Sequence, residues 1–357
     1  MKILQVITSL HIGGAEKLIA DITPLLIKRG IKVDVLAFDG TDTAFKHKLI
    51  NSGVSVFSFG KGINVYNPIF IFRLVKLMND YDIIHTHNTS PQFFAAIANI
   101  FTRRKMVTTE HSTSNHRRGN RFLRLLDRWM YNKYIYTICI SEMTRINLLK
   151  HLGYTRSLVR VIHNGIDVDT YNLSLPLSNS EKHTQKFVIT MVSGFRYQKD
   201  HETAIRMLTH LDRDRFELWL VGDGERRETV EAYIDKLGLG SCVRLWGIRS
   251  DIPSILKSSD VVLQSSHIEG FGLAAVEGMA SGKPVLATDI NGLSQIVEGA
   301  GILFPPKDDK FLAKEVFKLA TDQTYYNIIA KRCLLRAHNY DLEKMLDGYE
   351  NIYNKMM

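Results

Sequence analysis

Two glutamates eight positions apart flank a glycine turn in Glu269-Gly270-Phe271-Gly272-Leu273-Ala274-Ala275-Val276-Glu277. An apolar run, Val261–Gln264, feeds the polar loop 265–269, and the glycines then open a helical pattern. Gly270 and Gly272 let the backbone come close to a ligand, and the N-terminus of the helix that follows offers N–H groups to a phosphate. Carboxylates accept hydrogen bonds from vicinal hydroxyls, the pattern carried by sugars and ribose. Glu277 falls roughly two helical turns beyond Glu269, so both acids can point into one pocket. The plainer reading is two solvated glutamates, and the glycine context argues against it.

Arg196 and Lys199 follow another apolar run, Phe187–Met191. Cations at the carboxyl end of a strand are placed to neutralise a diphosphate leaving group, although a basic loop alone is more often simply solvated. The first run, Ile3–Ile7, leads into Gly13-Gly14-Ala15-Glu16, where paired glycines fit either a ligand or an ordinary strand-to-helix turn. His85 and His87 sit in Ile84-His85-Thr86-His87-Asn88, and His111 in Thr109-Glu110-His111-Ser112. Three histidines suggest zinc, but no cysteine or carboxylate completes a ligand set, so no metal is expected. Asp167-Val168-Asp169 and Asp212-Arg213-Asp214 match an Asp-x-Asp metal pattern only formally, and both read as structural. Val221-Gly222-Asp223-Gly224 lacks the third glycine of a dinucleotide fingerprint, with Arg227 in its place.

The elements that must position these groups alternate along the chain. Strand-like runs occur at Ile3–Ile7, Lys32–Ala37, Ser55–Phe59, Asp82–His85, Met106–Thr109, Tyr136–Ile140 and Val159–Ile162. They recur at Phe187–Met191, Phe216–Val221, Val243–Trp246, Val261–Gln264, Pro284–Ala287 and Gly301–Phe304. Amphipathic stretches lie between them, and the tail from about 309 is helical throughout. Such alternation predicts an α/β protein with parallel sheets covered by helices. The polar, non-periodic stretch 172–185 reads as a linker. The expected organisation is two doubly wound, Rossmann-like domains facing each other across a cleft. Residues 1–171 form the first and 186–338 the second, and a terminal helix at 339–357 packs back on the first. Ligands bind such sheets at the carboxyl ends of the strands.

The composition is that of a globular protein, with 45% hydrophobic and 23% charged residues. No apolar run approaches the ~20 residues of a membrane-spanning helix, and the apolar start is too short for a signal peptide. Cys139, Cys242 and Cys333 form no disulfide framework, so a reduced, cytoplasmic setting is expected. The net charge is +9 and is concentrated: residues 103–133 hold nine Lys/Arg against two acids, a net +7. Within them, Phe122, Leu125, Leu126, Trp129 and Met130 mark an amphipathic helix with Arg121, Arg124 and Arg128 off its apolar stripe. Residues 117–133 therefore suggest docking of a peripheral protein on an anionic membrane face, beside the plainer reading of a packed helix with a basic outer side. Nucleic acid is not expected as a partner.

The block Glu269–Glu277 resembles the retaining GT-B glycosyltransferases, in particular glycosyltransferase family 4. The Gly13-Gly14-Ala15-Glu16 loop, Glu110-His111-Ser112, Ile140-Ser141-Glu142, Val161–Asp167 and Leu245-Trp246-Gly247 share the resemblance, which spans nearly the whole chain. It implies transfer of a sugar from a UDP- or GDP-sugar to a glycan or lipid-linked acceptor, with retention and without metal or cofactor. Surface polysaccharide or glycolipid synthesis is the implied setting. The resemblance implies that Glu269 holds donor hydroxyls and Glu277 the ribose, while backbone at Phe271, Gly272 and Leu273 meets the diphosphate. Lys199 would neutralise the phosphates, the loop Gly247–Arg249 would cradle the base, and His111 would stand beside the reacting sugar. Gly14 would lie near the phosphates and the acceptor. The family's arginine five residues before the lysine is Gly194 here, and Arg196 stands three before it. A binding protein without catalysis, and an epimerase or hydrolase, are the alternatives.

Overall fold

The computed structural model describes residues 1–11, 13–111 and 121–357, with the side chains of Arg121 and Phe122 outside the description. Ser112 and residues 117–120, part of the motifs above, lie outside the described residues. The chain divides into two units, Met1–Gly165 with Leu342–Met357, and Ile166–Asp341.

The first unit runs β1 (Lys2–Ile7), α1 (Gly14–Lys28), β2 (Lys32–Asp39), α2 (Ala44–Asn51), β3 (Val56–Gly60), α3 (Phe70–Met78) and β4 (Ile83–His87). It continues α4 (Thr89–Thr102), β5 (Lys105–Glu110), α5 (Arg121–Tyr131), β6 (Tyr136–Cys139), α6 (Glu142–Leu152) and β7 (Leu158–Val161). Its seven strands are parallel in the order β3-β2-β1-β4-β5-β6-β7. The central strands are buried on both faces, which is why they read as near-continuous apolar runs. The strand period of two divides their side chains. Leu4, Val6, Ile84 and Met106 pack with α3 to α6, while Ile3, Ile83 and Val107 pack with α1 and the C-terminal helix.

The second unit runs α7 (Val168–Asn172), α8 (Asn179–Lys182), β8 (Phe187–Val192), α9 (His201–Met207), β9 (Phe216–Val221), α10 (Arg227–Lys236) and β10 (Val243–Gly247). It continues α11 (Ile252–Ser258), β11 (Val261–Gln264), α12 (Leu273–Ala280), β12 (Val285–Thr288), α13 (Ser294–Val297), β13 (Ile302–Phe304), α14 (Asp309–Thr321) and α15 (Gln323–Ala337). Its six parallel strands are ordered β10-β9-β8-β11-β12-β13. Trp219 is fully buried and meets Trp246 edge-on at 5.0 Å.

The observed boundaries fall at 165/166 and 341/342. The stretch 172–185 is part of the second unit and not a free connection. Leu177 is buried, and its N–H donates to Ser258 Oγ at 2.7 Å. The polar residues that suggested a linker are a capping box, Ser178 with Glu181, that starts α8.

The chain returns to the first unit as α16 (Leu342–Met356). Leu342, Met345, Leu346, Tyr349, Ile352, Tyr353 and Met356 recur at helical spacing and join the α1 side of the core. Arg29 pairs with Glu343, with Asp347 at 2.8 Å and with Glu350 at 3.0 Å on the same helix.

The basic helix differs from its expected form. Leu125, assigned to the apolar stripe, is 61% exposed. Arg128, assigned to the outer face, donates from Nε and Nη2 to the carbonyl of Leu152 at 3.0 and 2.6 Å, at the carboxyl end of α6. Asp127 is buried and bonded to His151 at 2.9 Å, so α5 is rotated to bring its polar groups against α6.

Because α16 contributes fully buried side chains to the core of the first unit, Leu346→Ala is expected to lower stability by about 2–5 kcal/mol. Urea unfolding checks this against the wild type.

Candidate functional site

In each sheet the direction of strand order reverses once, between β1 and β4 and between β8 and β11. Ligands of doubly wound sheets bind at such reversals, beyond the carboxyl ends of the strands. Lys199 follows β8 and Glu269 follows β11, so the two loops of the second reversal carry the two sequence-predicted charges. The structure joins them directly: Lys199 Nζ lies 2.5 Å from Glu269 Oε2. The other carboxylate oxygen accepts the N–H of Gly270 at 3.0 Å.

Further bonds lace the two loops. The N–H of His267 donates to the Gln198 carbonyl at 2.8 Å, and Ser265 Oγ donates to the Asp200 carbonyl at 2.8 Å. His267 Nδ1 lies 3.5 Å from Asp200 Oδ2, and its ring is 5.2 Å from that of Tyr197. Asp200 holds a left-handed backbone (φ 50°) and caps α9 by accepting from Thr203. Gly292 packs on the Glu269 backbone so closely that a Cβ there would stand 2.2 Å from the Glu269 carbonyl oxygen.

Gly272 has φ 98° and stands at the start of α12, whose N-terminus carries no side-chain cap. A Cβ at Gly272 would meet Leu293 at 2.6 Å, so glycine is required by both backbone and space. Leu273 opens the helix, and the Phe271 ring is buried edge-on against Tyr340 at 5.5 Å. Phe271 can therefore offer a ligand only its backbone. Glu277 is buried and stands one turn into α12, not two, because residues 270–272 are not helical.

Arg196 is exposed, and its guanidinium makes no hydrogen bond or ion pair among the described residues. Its Nε lies 3.8 Å from where a Cβ on Gly194 would be, so Arg196 fills the space beside the glycine. Nearby arginines are committed: Arg226 to Glu202 at 2.6 Å, and Arg227 to Asp223 and Glu231 at 3.0 and 2.8 Å. Gly247 ends β10 with φ 63°. Arg249 is held by Asp251 at 2.6 and 2.8 Å with its guanidinium 5.2 Å over Trp246, away from the Lys199–Glu269 pair in hydrogen-bond terms.

Gly14 and His111 belong to the first unit. Gly14 opens α1 just after β1, while His87 ends β4, so both flank the reversal of that sheet. His111 follows β5 and is half-buried, with its Nε2 2.9 Å from His87 Nδ1. His85 and His87 are fully buried, and every ring nitrogen of the two has a hydrogen-bond partner. Among the described residues no cluster of three His, Cys, Asp or Glu is arranged to hold a metal ion. Burial pushes His85 down to about 3 and His111 to about 4, and holds His87 well below 6.5, so all three are neutral near pH 7. Sequence reasoning missed Gln5 and Tyr353, which hold these rings. A lone glutamine inside the apolar run Lys2–Ile7 was the one available signal.

Two family models cover most of the chain: Glycosyltransferase Family 4 over residues 12–170 and Glycosyl transferases group 1 over residues 177–333. The chain is 27% identical over 308 residues to an Escherichia coli UDP-Gal:alpha-D-GlcNAc-diphosphoundecaprenol alpha-1,3-galactosyltransferase, covering 81% of this chain and 79% of that protein. It is 26% identical over 298 residues to the Bacillus anthracis N-acetyl-alpha-D-glucosaminyl L-malate synthase, covering 78% and 76%. Among solved structures, Anabaena Alr3699/HepE in complex with UDP-glucose superimposes with a TM-score of 0.87 at 25% identity, covering 99% of this chain and 100% of that one.

The buried histidines predict a pH dependence. Their pKa values in the folded state lie below the unfolded 6.5, so unfolding takes up protons below that pH. Stability is complete above pH 6.5 and is lost as the pH falls toward 4, by on the order of 1 kcal/mol or more per histidine at pH 5. Urea midpoints at pH 7.5 and pH 5 check this. An unchanged midpoint would mean that the rings are not held neutral.

Proposed function

From a chain that belongs to the glycosyltransferases and has the GT-B fold, we infer a family 4 enzyme that moves a sugar from a nucleoside diphosphate to a hydroxyl acceptor with retention and without metal. The observation that carries this reading is the Lys199–Glu269 pair beside the uncapped N-terminus of α12. The two charges satisfy each other. A bound diphosphate draws the ammonium of Lys199, and the carboxylate of Glu269 is then released to accept sugar hydroxyls. The N-terminus of α12 and Arg196, which replaces the family arginine missing at Gly194, add positive potential on the leaving group. Glu277 takes the ribose hydroxyls, backbone at Gly247–Arg249 takes the base, and Gly14 and His111 serve the acceptor and sugar side.

The bond from the anomeric carbon to the diphosphate breaks as the acceptor oxygen bonds to that carbon from the same face. The acceptor proton leaves with the departing phosphate oxygen. The E. coli relative is named for UDP-Gal and the Anabaena structure holds UDP-glucose, so a UDP-hexose is the donor class we place first. The E. coli relative also supports a lipid-linked glycan acceptor, in surface polysaccharide or glycolipid synthesis. Leu125, exposed beside Arg124 on α5, supports contact with an anionic membrane face.

A nucleotide-sugar thermal-shift screen tests donor binding. A donor at 100 times its Kd is expected to stabilise the protein by about 2.7 kcal/mol, and Glu269→Gln or Glu277→Gln to abolish most of that shift. Product analysis with glycan acceptors then separates transfer from the rival readings, since hydrolysis or epimerisation without transfer would sink the transferase assignment. For the membrane face, Arg124→Glu with Leu125→Ser is expected to reduce sedimentation with phosphatidylglycerol vesicles severalfold at low salt. Equal sedimentation of variant and wild type removes α5 as the docking element.

A further inference from the structure

Gln5 lies in the middle of β1 and is fully buried. Around it five side-chain hydrogen bonds run in series. His111 Nε2 is 2.9 Å from His87 Nδ1, and His87 Nε2 is 2.7 Å from Gln5 Oε1. Gln5 Nε2 is 3.2 Å from the hydroxyl of Tyr353, which is 2.6 Å from His85 Nδ1. His85 Nε2 is 2.8 Å from Thr109 Oγ1. Gln5, His85, His87, Thr109 and Tyr353 are all fully buried, and His111 is the half-buried end.

The two unlike ends of the Gln5 amide give this series one direction. Its oxygen can only accept, so the hydrogen on that bond belongs to His87 Nε2. A neutral imidazole has a single N–H, so His87 Nδ1 is bare and accepts. The hydrogen between the rings therefore belongs to His111 Nε2, and His111 Nδ1 is left as a lone pair. At its other end the Gln5 amide donates to the Tyr353 oxygen, the Tyr353 hydroxyl donates to His85 Nδ1, and His85 Nε2 donates to Thr109. Each group inside the series gives one hydrogen bond and takes one, so reversing any single bond would leave a buried group unpaired. Burial holds all three rings neutral, which the argument requires. His111 Nδ1 makes no hydrogen bond to any described residue.

We propose that Gln5, His87 and Tyr353 are positioning residues that lock His111 in its Nε2–H tautomer, so that His111 Nδ1 accepts a hydrogen bond from a hydroxyl of the sugar or its acceptor. The proposal rests on the reading above, in which His111 meets substrate. It assigns a function to the terminal helix α16 beyond packing, because the Tyr353 hydroxyl accepts from the Gln5 amide and passes the same direction on to His85 Nδ1. A wrongly set tautomer would present an N–H to the hydroxyl and force that hydroxyl to accept.

Long-range nitrogen NMR of ring-labelled histidine in the full-length protein tests the lock, with the His111 signals identified by their loss in His111→Ala. In the wild type His111 is expected to show a protonated Nε2 and a bare Nδ1. Gln5→Met leaves His87 Nε2–H facing a thioether that accepts only weakly, which favours the opposite arrangement of both rings. This variant and Tyr353→Phe are expected to mix the two His111 tautomers. Turnover of the donor found in the screen is expected to fall threefold to tenfold in kcat, with little change in donor KM. Gln5→Glu restores an acceptor for His87 in either protonation state and is expected to recover the wild-type tautomer. A proton on His111 Nδ1 in the wild type, or ring signals unmoved in Gln5→Met, overturns the lock. A confirmed tautomer combined with full turnover by His111→Ala defeats instead the assignment of His111 to the substrate, and with it the catalytic half of the proposal.

Discussion

The contact between Lys199 and Glu269 is the interaction on which the proposed donor site turns. Each group is partly buried, and each would be costly to hold there without its partner. Their 2.5 Å pairing is possible only because β8 and β11 are neighbours at the reversal of strand order, 70 positions apart in the chain. The backbone N–H of His267 and the hydroxyl of Ser265 bond to carbonyls of the loop after β8 and tie the two segments into a single surface. Gly292, pressed on the Glu269 carbonyl, and Gly272, in a left-handed turn, let this surface sit directly over the start of α12. Under the proposed function, charge, helix terminus and backbone are arranged for an anion in advance, which is electrostatic preorganisation.

The first unit solves a different problem. It places Gln5, Thr86, His85, His87, Thr108 and Thr109 in the centre of a parallel sheet whose surroundings are apolar. Polar groups there are tolerated only when their hydrogen bonds are complete. Adjacent strands supply partners, as when Thr86 meets Thr108 and His87 meets Gln5, the turn before β6 adds the Tyr134 hydroxyl to Thr86, and α16 supplies Tyr353. The terminal helix therefore closes an apolar core and a polar network at once. Its seven buried side chains dock it, and that docking is what brings the Tyr353 hydroxyl to the sheet.

The basic segment illustrates how composition can mislead about position. Arg128 was expected on an outer face, and it instead satisfies the carbonyl of Leu152 at the end of α6. The guanidinium of Arg249 is engaged by Asp251, so the loop Gly247–Arg249 has its backbone, not this cation, to offer. Arg196, by contrast, stands where a residue missing at Gly194 left room. A cation's value to a ligand depends on whether the fold has already given it a partner, and nearest neighbours in sequence do not decide that.

Local pattern was enough for the elements. Among the described residues all thirteen strands fall on the apolar runs read from the chain, and the glycines of Glu269–Glu277 marked the turn before α12, because burial and backbone freedom act through residues close in sequence. The pairing of Lys199 with Glu269 could be suspected from their chemistry, but its geometry came from strand order. The unit boundary at 165/166, the absorption of 172–185 into the second unit and the rotation of α5 all depend on packing that no periodicity records. The plainest case is Gln5 with Tyr353, 348 positions apart and joined by one hydrogen bond. Sheet register sets which polar atoms face each other in the interior, and register is a property of the assembled sheet, so only tertiary structure could decide how the histidines of the first unit are held.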